Sequence, residues 1–78
     1  MAVRVRLFAA IREAFGVDAL DLDASTVEEV AEQLRRRCPS AEPLLARSRF
    51  AVNRAFSPAQ TPLLDQDEVA VIPPVSGG

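Results

Sequence analysis

The chain has 78 residues, enough for one small domain, and carries a formal charge of −2 with nine arginines, no lysine and no histidine. These absences exclude a Ser-His-Asp triad, a Cys-His dyad, an ordinary His/Cys zinc site and a Schiff-base lysine. The acidic balance argues against nucleic acid as a partner, and no apolar run approaches the roughly 18 residues of a membrane span. One cysteine, Cys38, leaves nothing for an internal disulfide and fits a reducing, cytoplasmic setting.

Val3-Arg4-Val5-Arg6-Leu7-Phe8 alternates with period two. It predicts a strand with Val3, Val5 and Leu7 facing inward and Arg4, Arg6 and Phe8 facing the other way. Because this pattern begins at once, no signal peptide is expected. Ala9 to Phe15 suits a short helix, with Gly16 placed as a left-handed end residue. Leu20 and Leu22 alternate with aspartates and predict a second strand. Ser25 or Thr26 can cap the next helix, with Glu28 or Glu29 completing a capping box. Val27, Val30, Ala31, Leu34 and Cys38 then recur at steps of three and four, which is one helical face. Glu28 and Glu29 in the first turn and Arg35, Arg36 and Arg37 in the last complement the helix dipole, and Pro39 stops the helix.

Pro43 to Arg47 reads as a turn or short helix. Phe50 to Asn53 reads as a third strand with Asn53 as a turn former. Pro58 and Pro62 leave room only for a short or edge strand near Ala55-Phe56. Asp65-Gln66-Asp67 is a polar turn, and Glu68 to Ile72 is the last strand, ended by Pro73-Pro74. The long helix joins the second strand to one that can lie parallel in the same sheet. With the first and last strands both apolar, these two are expected side by side at the centre and the helix over one face. This is an α+β roll of the β-grasp (ubiquitin-like) kind, with a mixed sheet of four to five strands packed on one main helix.

The expected domain covers residues 1–74, and residues 75–78 form a tail. Val75-Ser76-Gly77-Gly78 lacks large side chains, and Pro73-Pro74 favours an extended exit. Such a tail suits delivery of a terminal carboxylate into another protein's active site. Activation of a carboxylate requires attack on a nucleotide α-phosphate, which a Cβ at either last position would crowd. The nucleophile would be the chain's own C-terminus.

Val69-Ala70-Val71-Ile72-Pro73-Pro74-Val75-Ser76-Gly77-Gly78 closely resembles the C-terminal signature of the small-subunit family of molybdopterin synthase. Val5-Arg6-Leu7-Phe8-Ala9 with Arg12-Glu13, and Val52-Asn53-Arg54, are also similar to that family. The resemblance implies a β-grasp sulfur carrier, not catalytic alone, in a heterotetrameric synthase of molybdenum cofactor biosynthesis. It implies that Gly78 is adenylated by a ubiquitin-activating-type enzyme using ATP, with no cofactor or metal bound to the carrier itself. Gly78 then becomes a thiocarboxylate, and the tail, with Gly77, enters the large synthase subunit and gives sulfur to a pterin precursor. By the same resemblance Phe8, Arg12, Phe56, Ile72, Pro73, Pro74, Val75 and Ser76 contact the partner enzymes. Many relatives read Asp-Gly-Asp where this chain has Asp65-Gln66-Asp67; because glutamine disfavours positive φ, a different turn type is expected there.

Cys38 lies on the helix's apolar stripe and reads as a core residue. Arg35-Arg36-Arg37 reads as a solvated helix end, and Asp65, Asp67 and Glu68 as a solvated turn. Two rival functions share the same tail: a carrier for another product, such as thiamine or a sulfur amino acid, and a ubiquitin-like modifier joined to lysines of other proteins.

Overall fold

Val3, Val5 and Leu7 form the buried side of β1 (Ala2–Leu7), whose other side chains are exposed, as the alternation requires. The computed structural model describes residues 1–74; the tail residues Val75, Ser76, Gly77 and Gly78 lie outside the described residues. After β1 come α1 (Ala9–Phe15), β2 (Ala19–Asp23), α2 (Val27–Arg37), a 3-10 turn at Pro39–Ala41, and α3 (Glu42–Ala46). Strands β3 (Arg49–Val52), β4 (Ala55–Phe56) and β5 (Glu68–Ile72) complete the order.

The five strands form one sheet in the order β2-β1-β5-β3-β4. β1 and β5 are parallel neighbours, with Val5 opposite Val69 and Leu7 opposite Val71. β2 runs antiparallel to β1, and β3 antiparallel to β5, so β2 and β3 point the same way across the central pair. The connection through α2 therefore joins two like-directed strands of one sheet, as expected. Val69 and Val71 face the core with Val3, Val5 and Leu7. Val27, Val30 and Leu34 of α2, Ile11 of α1, Leu45 of α3 and Leu63 of the final loop close over them.

Thr26 is the N-cap of α2. The Glu29 amide donates to Thr26 Oγ1 at 3.2 Å, and the Glu29 carboxylate accepts from the Ser25 amide at 2.7 Å. The reciprocal cap thus reaches one residue further back than the usual box. Cys38 is the C-cap and is half-buried against the core, with Sγ 3.5 Å from Ser40 Oγ and 3.8 Å from the Ala14 carbonyl oxygen. Arg35 and Arg36 pair with Glu28 and Glu32 on the solvent side of the same helix.

The Asp65-Gln66-Asp67 turn corrects one expectation. Gln66 takes φ +74°, so the turn keeps a left-handed residue although glutamine disfavours one. The surroundings hold it there. The Gln66 amide donates to the Ala2 carbonyl at 2.8 Å. Asp65 Oδ1 accepts from the Ala2 amide at 2.9 Å, and Asp67 Oδ2 accepts from the Leu64 amide at 2.8 Å. These backbone donors are the main reason both carboxyls sit below the usual carboxylate range. A left-handed non-glycine residue costs about 1–2 kcal/mol, against about 0.5–1 kcal/mol of extra chain entropy for glycine. Gln66→Gly is therefore expected to stabilise the fold by about 0.5–1 kcal/mol. Among the described residues the only side-chain bond lost is a 3.4 Å contact to Asp65. A higher urea midpoint at unchanged slope checks this; an unchanged or lower midpoint refutes the strain argument.

Candidate functional site

Side chains on the core side of the sheet are spent on packing, so the other face is where the sheet meets solvent. Phe8 has extended backbone (φ −123°, ψ 154°) and continues the alternation of β1 past Leu7. It therefore points to the open face and is 44% exposed. Ile72 follows Val71 in β5, points the same way and is half-buried. Just after Phe8, Ala9 takes φ +49°. This left-handed residue turns the chain from β1 into α1 directly behind Phe8. Phe8, Ala9, Ala10, Glu13, Ile72, Pro73 and Pro74 line one cleft of about 540 Å³. The strand carrying Ile72 ends there, and Pro73-Pro74 leave the sheet along the cleft's wall.

Two expected contact residues lie elsewhere. Arg12 sits one helical turn beyond Phe8 but lines a separate depression with Glu13, Gly16, Val17 and Asp18. Phe56, 57% exposed, belongs to the edge strand β4 and lines a cleft on the far side of β3. Register still puts it on the open face. Phe56 is opposite Ala51, Ala51 is opposite Ala70, and Arg49 is opposite Ile72. An apolar band thus crosses the open face from Phe8 through Ile72, Ala70 and Ala51 to Phe56. Ala51 is buried even on this face. Val75, Ser76, Gly77 and Gly78 lie outside the described residues.

The part of the open face nearer β2 is charged and self-neutralised. Arg4 Nε meets Asp21 Oδ1 at 2.7 Å, and Arg6 Nε meets Glu68 Oε2 at 2.8 Å. The hydrogen bond from Arg6 is the main reason the Glu68 carboxyl lies below its usual range, and it raises Arg6 in turn. Among the described residues no group of acidic or cysteine side chains is placed to hold a metal ion. No described helix is long and apolar enough to cross a membrane. Chemically, the described open face offers an apolar band beside paired charges.

Sequence reasoning missed Arg49. Its guanidinium carbon lies 3.9 Å over the centroid of the Phe56 ring. The signal lay in the hairpin. Asn53 and Arg54 both take positive φ, +49° and +74°, which is a two-residue turn of the primed kind. That turn fixes the register of β4 on β3 and brings Phe56 beneath Arg49.

A five-stranded mixed sheet with parallel central strands and α2 packed across one face is a β-grasp, ubiquitin-like fold. Residues 5–78 match the ThiS family, and the chain belongs to it. Over 80 residues it is 35% identical to the molybdopterin synthase sulfur carrier subunit of Haemophilus influenzae, with 97% of this chain and 99% of that one covered. The solution structure of small archaeal modifier protein 1 from Methanosarcina acetivorans superposes with a TM-score of 0.88 at 28% identity, covering 99% and 96% of the two chains. Subunit 1 in the protein–protein complex of subunits 1 and 2 of the molybdopterin-converting factor from Helicobacter pylori matches with a TM-score of 0.73. That match is 25% identical and covers both chains fully.

Proposed function

We propose that this protein is the sulfur-carrier subunit of a molybdopterin synthase. In this reading Gly78 is adenylated by a ubiquitin-activating-type enzyme at the expense of ATP. It is then converted to a thiocarboxylate and gives its sulfur to a pterin precursor held by the large subunit. The carrier contributes no catalytic side chain; partner enzymes supply the general acids and bases. The observation that carries the reading is the position of the Phe8–Ile72 cleft at the point where Pro73-Pro74 leave the sheet. A partner seated on that cleft would stand next to the start of the tail. Exposed aromatic and aliphatic side chains grouped in this way mark a protein-binding surface. The full-length identity to a sulfur carrier subunit, and the likeness to a subunit found in complex with its partner, support the same reading.

Intact-mass measurement tests the proposal. Protein isolated from cells holding the activating enzyme is expected to show a sulfur-for-oxygen exchange, and fragmentation should place it at Gly78. A mass that never changes in the presence of activating enzyme, ATP and a sulfur donor refutes the carrier reading.

One observation favours a second reading. The likeness to small archaeal modifier protein 1 supports a protein modifier, in which the activated Gly78 is joined to lysines of other proteins. The chain has no lysine, so it cannot form side-chain chains on itself. Covalent adducts of this chain on target lysines, found by proteomics, would move the assignment to that class.

A further inference from the structure

Arg4, Arg6 and Arg49 all stand on the open face of the sheet, and their charges are spent differently. Arg4 and Arg6 are tied to Asp21 and Glu68. Arg49 has no carboxylate within 4.0 Å among the described residues, and it is exposed. Its guanidinium carbon lies over a ring instead, 3.9 Å from the Phe56 centroid. A cation held over a ring on one side keeps N–H donors on its other side for a carboxylate acceptor. The ring also displaces water from one side, which strengthens any pairing made on the other.

Register makes this cation part of the docking band. Arg49 is opposite Ile72, the residue that lines the Phe8 cleft, and Phe56 stands two strands from Ile72 on the same face. On the outer side Arg49 and Phe56 border a second cleft of about 480 Å³, whose lining includes Val27, Phe50 and Pro58. A partner lying across the band would therefore cover Arg49. A covered cation without a counter-charge is costly, so the covering surface must supply one. Among Arg4, Arg6 and Arg49 of the open face only Arg49 lacks a carboxylate partner among the described residues. One such cation in a chain of net charge −2 does not suit a nucleic acid, which needs many. It suits one carboxylate.

We propose that Arg49, braced on Phe56, reads an aspartate or glutamate side chain of the protein that docks on the open face. This rests on the carrier reading above and adds to it the chemistry of the partner's surface. Arg49 is a specificity residue here; it stands on the strand beside the Phe8 cleft and takes no part in sulfur transfer.

The test is titration calorimetry of the full chain against the molybdopterin synthase large subunit of the same organism, at low and at raised salt. Arg49→Gln is expected to weaken binding by about tenfold at low salt and to flatten the salt dependence. Arg49→Glu is expected to weaken it further. Arg36→Gln changes the net charge equally on α2, away from the open face, and is expected to bind like the parent. Unchanged thermal midpoints show that the variants fold. The proposal is overturned if Arg49→Gln binds like Arg36→Gln while Phe8→Arg abolishes binding, because docking then occurs without a carboxylate at Arg49. A loss in Arg49→Gln that is equal at all salt concentrations also overturns it, since packing alone would explain that. If the parent chain does not bind the large subunit at all, the docking reading fails first and the inference falls with it.

Discussion

Removal of Gly78 is expected to abolish sulfur transfer to the pterin precursor while leaving the unfolding transition where it was. The two halves of this expectation have different causes. Among the described residues the core cluster runs from Val3 to Val71, so the core is complete well before the last residue. Transfer, in the function proposed above, depends on where the terminal carbon stands relative to the docked partner. One residue fewer withdraws the carboxylate by up to about 3.3–3.6 Å along an extended chain. Misplacement of a reacting group by about 1 Å can already cost about a hundredfold in rate. The shortened chain still ends in a glycine carboxylate, Gly77, so the loss would come from reach and not from chemistry. Single-turnover transfer in the assembled synthase, alongside calorimetric unfolding of the carrier, measures both. Normal transfer by the shortened chain would exclude the tail mechanism; a lowered midpoint would show that the fold uses the tail.

The elements that were legible in the sequence are those whose physics is local or periodic. α2 announces itself by Thr26, Glu29 and the Val27-Val30-Ala31-Leu34 stripe, because capping and a 3.6-residue repeat are properties of a short window. β1 and β5 show their buried faces by alternation, and their shared apolar character places them together at the centre. The places where the reading ran out are set by long-range pairing. Gln66 is left-handed because Ala2 on β1 takes its amide, a bond spanning most of the chain. Ala9 is left-handed with no glycine or asparagine to signal it. The Arg49–Phe56 stack needs the register of the β3–β4 hairpin, which a turn without glycine does not announce. The candidate site divides in the same way. The face of Phe8 follows from the alternation of β1, and the structure brings Phe8 together with Ile72. Arg12 and Phe56 came from resemblance, and the structure places each beside a different depression.

The way the core is filled accounts for the aromatic side chains that so small a domain leaves outside it. Its core is drawn from one face of the sheet, one stripe of α2 and single residues of α1, α3 and the last loop, and valine and leucine supply most of it. Phe8 and Phe56 are excess to that core. Large apolar side chains left on a surface raise the risk of self-association, and the paired charges of Arg4, Asp21, Arg6 and Glu68 keep the rest of that face polar.

Leu34→Ala is expected to cost about 2–5 kcal/mol, against a total stability of about 4–12 kcal/mol for a domain of this size. Leu34 is fully buried on α2 and belongs to the core cluster with Val3, Val5, Leu7, Val69 and Val71 of the two central strands. Alanine removes its methyl groups at a point where those strands, held by ladder hydrogen bonds on both sides, cannot collapse inward to fill the gap. The cavity term therefore adds to the lost transfer energy and pushes the cost toward the upper end of that range. Leu64→Ala serves as the comparison. Leu64 is 67% exposed in the loop before β5, and the same change in composition there is expected to cost less than about 0.5 kcal/mol. Urea unfolding of the two variants separates burial from composition: the Leu34 variant should lose a large part of its midpoint at constant slope, and the Leu64 variant almost none. Equal effects would mean that the packing of α2 on the sheet is not what holds this fold.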